Sequence, residues 1–193
     1  MNTYFQELGR AMRMLGEDPS TIFIGQGCGV HGTGMRGTFD GIPDEQRIEF
    51  PVAEDLQMGM SIGMALAGYL PVCVFPRWNF VLCAANQLVN HLDRLPIYSN
   101  GGYNPKVLIR VAVPSKSPFN PQSQHDDDFT VAFSNMLRTV KIVRIRTPES
   151  VVMHYREAVA RPQSTILVEF STLYSTPLQG VSSDASQTKE CAA

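Results

Sequence analysis

Long apolar runs are missing from this sequence: polar or charged residues interrupt every one well short of the ~20 residues that a membrane-crossing helix needs. The opening M-N-T-Y-F-Q-E-L reads as an amphipathic helix rather than a signal peptide. Surplus charge is equally scarce. A net charge of −2 with no basic cluster leaves no electrostatic footprint for nucleic acid. Cysteine is sparse, and Cys28, Cys73, Cys83 and Cys191 lack metal-ligand spacing. Cys73 falls in a strand pattern and Cys83 in a helix pattern, where a buried thiol is commonplace. These absences fit a reduced, cytoplasmic protein. The chain has no internal repeat, and 193 residues suffice for one domain with a sizeable core.

What is present alternates between two periodicities. Thr3 to Leu15 carries a helical stripe at Phe5, Leu8, Ala11, Met12 and Leu15. Strands are expected at Thr21 to Ile24, Arg47 to Phe50, Pro71 to Phe75, Lys106 to Val113, Val140 to Val143 and Thr165 to Phe170. Further helices are expected from Glu54 to a stop at Gly68, from Asn79 to Asp93, from Asp128 to Leu137 and from Pro148 to Ala160. Gly25 to Gly41 holds seven glycines and reads as a loop, as does the proline-rich, polar stretch from Pro114 to Asp128. The alternation predicts a three-layer α/β/α domain with a mostly parallel sheet over residues 1–175. The polar, Ser-rich tail over 176–193 is expected to be disordered.

Two motifs invite functional readings that the residues themselves weaken. Gly27, Gly29 and Gly32 spell G-x-G-x-x-G directly after a strand. A dinucleotide fingerprint needs a helix opening within that motif, and T-G-M-R-G-T-F-D-G-I-P cannot supply one. His125, followed by Asp126, Asp127 and Asp128, suggests a metal cluster, but consecutive acids point in different directions. A solvated helix start with Asp at the cap is the commoner meaning. His91 and His154 lie in helical patterns and read as structural or surface residues.

The most organised stretch runs from Phe50 to Phe80. Pro51 ends an extended run, Glu54 opens a helix, and Gly59, Gly63 and Ala67 form a smooth ridge that permits close backbone approach. On position alone Glu54 is a helix-starting acid, placed where the helix dipole favours its ionised form. The ordered set says more. P-x-x-E, the ridged helix ending M-A-L-A-G, L-P-V and F-x-x-x-N-F is followed by N-Q-L-V-N, S-N-G-G, V-L-I-R, V-K-I-V and T-P-E-S. Across residues 3–174 this resembles the pyrimidine-binding, transketolase-type domain of the β subunit of thiamine diphosphate-dependent 2-oxo acid dehydrogenases.

The resemblance implies a cofactor, thiamine diphosphate with Mg²⁺, and a division of labour. Glu54 would hydrogen-bond the aminopyrimidine ring and drive it to the imino form that accepts the proton, a relay through the cofactor. Phe80 would stack on that ring, Val52 would pack beside it, and His125 would take the place of a histidine facing the active site. Three departures stand out. Gln26 replaces an acid usual in the family, the histidine loop reads Q-S-Q-H-D rather than His-Ser-Gln, and Arg77 and Trp78 replace smaller or neutral residues. They either shape substrate preference or are a surface Arg and a packed Trp. The family position matching Cys83 often holds a polar side chain and stays unassigned.

No G-D-G segment for the diphosphate and its magnesium occurs here. The resemblance therefore implies a partner chain bearing the diphosphate-binding domain, packed on the Gly59/Gly63/Ala67 ridge, in a homodimer or heterotetramer. The chain also stops where the family's β subunit continues into a C-terminal domain. Two expectations follow. One is the pyrimidine-binding subunit of a multi-chain enzyme acting on a 2-oxo acid, or on a ketose. The alternative is a non-catalytic relative serving as an interaction module.

Overall fold

The computed structural model describes residues 2–115, 123 and 125–178. Six strands form one sheet: β1 (Thr21–Gly25), β2 (Arg47–Glu49), β3 (Leu70–Phe75), β4 (Leu108–Val113), β5 (Lys141–Arg144) and β6 (Thr165–Phe170). Their order is β2-β1-β3-β4-β6-β5, and every pairing is parallel. Helices α1 (Tyr4–Gly16) and α6 (Val151–Ala160) cover one face. Helices α2 (Glu54–Leu66), α3 (Trp78–Cys83) and α5 (Thr130–Met136) cover the other, with a short α4 (Leu95–Tyr98) at its end.

Alternation along the strands feeds the two layers. Phe23, Val72, Val74, Leu108 and Leu167 pack with Leu8, Met12 and Tyr155, while Ile24, Cys73, Phe75, Ile109 and Val168 pack with Met58, Trp78 and Phe133. Both faces are dry, so the strands read as near-continuous apolar runs. A capping box starts α1: the Thr3 hydroxyl accepts from the Gln6 N–H at 3.3 Å, and the Gln6 side chain accepts from the Thr3 N–H at 2.8 Å. Gly68 ends α2 at φ +94°, a left-handed residue just past the helix, as its position in the sequence predicts.

Three expectations are adjusted. The helix expected from Asn79 to Asp93 is interrupted: α3 closes at Cys83, and Gln87–Leu92 continues as a π-helical segment. Cys83 is exposed, whereas Cys28 and Cys73 are buried. At the start of the expected tail, Thr176 accepts from the Tyr4 N–H at 2.8 Å and the Leu178 N–H donates to Asn2 at 2.7 Å. The rest of that tail, and much of the expected loop before Asp128, lie outside the described residues.

One polar group sits deep in the α1/α6 layer. Arg110 on β4 and Glu169 on β6 are fully buried and paired twice, Nε to Oε2 at 2.8 Å and an Nη to Oε1 at 3.1 Å. The other Nη donates to Thr38 Oγ1 at 2.6 Å, the guanidinium lies over the Phe39 ring, and Tyr174 donates to Glu169. This cluster ties the glycine-rich loop after β1 and the segment after β6 to the middle of the sheet. Breaking a buried ion pair is costly because the remaining charge has no water to solvate it. Arg110→Met is expected to lower the unfolding free energy by about 3–5 kcal/mol, with much of the loss recovered in R110M/E169L. Urea denaturation of both variants checks this; equal losses would show that the two side chains do not act as a pair.

Candidate active site

Parallel strands gather all the loops that follow them on one edge. From β1 the chain reaches β2 on one side and β3 on the other, so the ends of β1 and β3 frame a crevice of the kind in which open α/β sheets bind ligands. The two strands are tightly apposed there. Gly25, at φ +152°, closes β1, and a Cβ on it would stand 2.2 Å from the Val74 carbonyl oxygen. Gln57 of α2 is buried beneath the crevice, and its Nε2 donates to the Val74 carbonyl at 3.0 Å. It also reaches the Ile24 carbonyl at 3.4 Å, stitching the two strand ends together.

Glu54 is the first residue of α2 and is only 7% exposed. No side chain caps this helix. Glu54 and Asp55 supply the negative charge of the first turn, where the helix dipole favours it. The described partner of the Glu54 carboxyl is Gln26, whose Nε2 donates to Oε1 at 3.3 Å. The residue that departs from the family pattern is therefore in contact with the candidate acid.

The structure also brings Phe80 and His125 together. Phe80 lies on α3, half-buried, and the His125 ring tilts against it with centroids 5.3 Å apart. His125 Nδ1 is shielded from solvent and has no hydrogen-bond partner among the described residues, and the same holds for Asn79 Oδ1. The Asn79 amide donates to Asp127 at 3.3 Å, linking α3 to the acidic run after the histidine. Val52, in the turn before α2, is 79% exposed and touches none of these groups through a described bond. Trp78 is fully buried and stacks on Phe133 at 5.2 Å, which is the packed reading of that residue. His91 is exposed beside Asn86, and His154 lies 3.6 Å from Glu157 on α6; neither is near this edge.

Glu49, at the end of β2, is a residue that motif reading missed. Its carboxylate accepts from the backbone N–H groups of Gly27 at 2.8 Å, Gly29 at 2.7 Å and Val30 at 3.1 Å. The G-x-G-x-x-G loop is therefore an anion cradle of the nest type, and the anion it holds is this protein's own side chain. Burial pushes the Glu49 carboxyl up, but the converging N–H groups of Gly27, Gly29, Val30 and Cys28 outweigh it and hold the carboxyl below its ordinary value. A neighbouring signal was present: an acid closing the strand that leads directly into P-V-A-E. Along α2, a Cβ on Gly63 would meet nothing within 4 Å and one on Gly59 only Gln87. Leu56, Met60 and Leu66 are exposed on the same helix, so the ridge carries an uncovered apolar face.

No protein-family model matches the chain. Its curated relatives are β subunits of 2-oxo acid dehydrogenases. It is 32% identical over 99 residues to the pyruvate dehydrogenase E1 component subunit beta of Cyanidium caldarium, covering 50% of this chain and 30% of that one. It is 26% identical over 172 residues to the 3-methyl-2-oxobutanoate dehydrogenase subunit beta of Mycobacterium tuberculosis, covering 86% and 48%. The chain thus spans about a third to a half of the length of the curated relatives it matches. Among solved structures it superposes on a split-gene transketolase, an inactive β4 tetramer, with a TM-score of 0.65 at 15% identity over 87% of this chain and 51% of that one. A thiamine diphosphate-dependent 4-hydroxybenzoylformate decarboxylase of Rhodococcus jostii gives 0.62 at 14%, over 98% and 34%. The fold is that of the transketolase-like thiamine diphosphate-dependent enzymes, and the resemblance expected from the sequence holds.

The Glu49 cradle carries a pH dependence of definite sign. A carboxyl held below its ordinary value in the folded protein stabilises the loop at pH above the ordinary range of about 4. That contribution is lost as pH falls through the lower folded value. Amide exchange at Gly27, Gly29 and Val30 is expected to be slow near neutrality and to lose its protection at acidic pH before the core strands do. In Glu49→Gln the same amides should exchange fast at every pH; protection unchanged in that variant would refute the cradle.

Proposed function

We propose that this chain supplies the pyrimidine-binding half of a multi-chain thiamine diphosphate-dependent enzyme acting on a 2-oxo acid, with Glu54 as the activating acid. The observation that carries the reading is a buried carboxyl at the first turn of α2, on the crevice edge of a fold shared with thiamine diphosphate enzymes. The relatives' names point to 2-oxo acids as the substrate class. A ketose substrate remains the less favoured variant of the same reading.

The residues on this edge fit the pyrimidine half of the cofactor. Glu54 offers a carboxyl with one described protein partner, leaving capacity to hold a ring nitrogen and move a proton at its oxygens. Phe80 presents an aromatic face for stacking, backed by His125, whose shielded Nδ1 has no partner among the described residues. Val52 would pack beside the ring, and its exposure in this chain alone leaves it free to do so. When bound, the cofactor supplies a stabilised carbanion for cleavage next to a carbonyl. Gln26 donates to Glu54 and carries no charge, so a relay that needs a second acid at that position does not run through it.

The described residues offer no match for the diphosphate half. Among the described residues no cluster of His, Cys, Asp or Glu could hold a metal ion, and the backbone amides of the glycine-rich loop are engaged by Glu49. Mg²⁺ and the diphosphate would be held by a partner chain seated on the Gly59/Gly63/Ala67 ridge of α2. That assembly would be a homodimer or a heterotetramer. A non-catalytic interaction module is the second reading, and Gln26 in place of an acid is what favours it.

Co-purification of the tagged chain is expected to recover a partner bearing a Gly-Asp-Gly segment with a downstream Asn. In the enzyme reconstituted with that partner, Glu54→Gln should lower kcat by about 100-fold or more, with assembly and thermal midpoint unchanged. Turnover that survives E54Q would refute the role given to Glu54.

A further inference from the structure

At the opposite edge of the sheet, where the strands begin, lies a second concavity of about 380 Å³. Its walls are the segment from α4 to β4, with Pro96, Gly101 and Asn104; the start of β5, with Arg138 and Lys141; and the turn before β6, with Gln163. The volume falls within the ~300–1,000 Å³ of small-molecule sites.

The charges are one-sided. Arg138 and Lys141 are the charged side chains of the lining, and no carboxylate is part of it. Both are exposed, and neither makes an ion pair or a side-chain hydrogen bond with any described residue. Asp93, which adjoins Arg138, is engaged by backbone donors. It is fully buried and accepts from the backbone N–H groups of Arg138 at 2.9 Å, Thr139 at 2.7 Å and Val140 at 2.9 Å, with Arg94 3.6 Å away. Those bonds fix the loop that carries Arg138 and leads into Lys141 at the start of β5.

The facing wall is pinned as well. Asn104 donates to the Pro162 carbonyl at 3.4 Å, and the Ser164 hydroxyl donates to the Pro105 carbonyl at 3.0 Å while accepting from the Val107 N–H at 3.0 Å. Two unpaired cations on a rigid frame, with amide side chains opposite, form a receptor for an anionic group on a polar body.

We propose that this concavity binds a small phosphate monoester. Arg138 and Lys141 hold the phosphate, and Asn104 and Gln163 face the hydroxyls of the attached body. The site is remote from Glu54, since it lies at the beginnings of strands whose ends carry the candidate active site. It does not rest on the thiamine diphosphate reading.

Titration of the full chain with ribose 5-phosphate, ribose and inorganic phosphate, followed by two-dimensional amide NMR, tests this. Ribose 5-phosphate is expected to shift the amides of Arg138, Thr139, Gly101 and Asn104 saturably, ribose is expected to shift none of them, and inorganic phosphate should bind more weakly than the ester. In R138Q/K141Q the affinity for the ester should fall by at least ~10-fold with an unchanged thermal midpoint, while Arg10→Gln, a charge removed elsewhere on the surface, leaves it unaltered. No shift at millimolar ribose 5-phosphate would overturn the proposal. So would binding that persists in the double variant, or inorganic phosphate binding as tightly as the ester, which would reduce the site to unspecific attraction of anions.

Discussion

Everything chemical in this molecule depends on all six strands pointing the same way. Parallel pairing sends each connection back over a face and releases each strand end on one shared edge. Three such ends, those of β1, β2 and β3, deliver Gln26, Glu54 and the start of α3 to one place, although they are far apart in sequence. Fixing the strand ends is therefore fixing the site. Gly25 and Gln57 do that locally: the first lets β1 and β3 meet without a side chain between them, and the second bonds both across the crevice.

The two layers of the domain serve this edge differently. The α2/α3 layer is mostly apolar, and it positions Glu54 and Phe80 by packing supplemented by the hydrogen bonds of Gln26, Gln57 and Asn79. The α1/α6 layer carries the Arg110–Glu169 pair, which reaches through Thr38 into the glycine-rich loop and through Tyr174 into the chain after β6. Both loop anchors are charged groups holding neutral backbone or hydroxyl partners, one buried under the loop and one, Glu49, inside it. An apolar core fixes elements well but loops poorly, because loop backbones must find hydrogen bonds away from the ladders.

Most of the architecture was legible because the strands are apolar on both faces and the helices are punctuated by glycine and proline. Glu54, Phe80 and His125 became candidates only through a resemblance, and the structure adds that Phe80 and His125 are in contact. What escaped the sequence was pairing at a distance. Arg110 stood in view as the last letter of V-L-I-R and Glu169 as the penultimate residue of the last strand, but only the order β4-β6 makes them neighbours. The break after Cys83 was hidden because apolar spacing from Phe80 to Leu88 suits one helix as well as two short ones. Cys83 showed the limit of pattern: its helical position says nothing of which face it takes, and it faces water.

The Glu49 cradle has a consequence for how such a loop could change its trade. A row of convergent amide donors is a receptor, and this one comes with its ligand covalently attached at the end of the adjoining strand. Its selectivity against outside anions is set by effective concentration rather than by shape, since a tethered carboxylate is always at hand. The loop's donors are in this sense already occupied from within the chain. A single exchange of Glu49 for a small neutral residue would vacate those donors without altering the loop's own sequence, so the order of this glycine-rich loop is held by one side chain on a different strand.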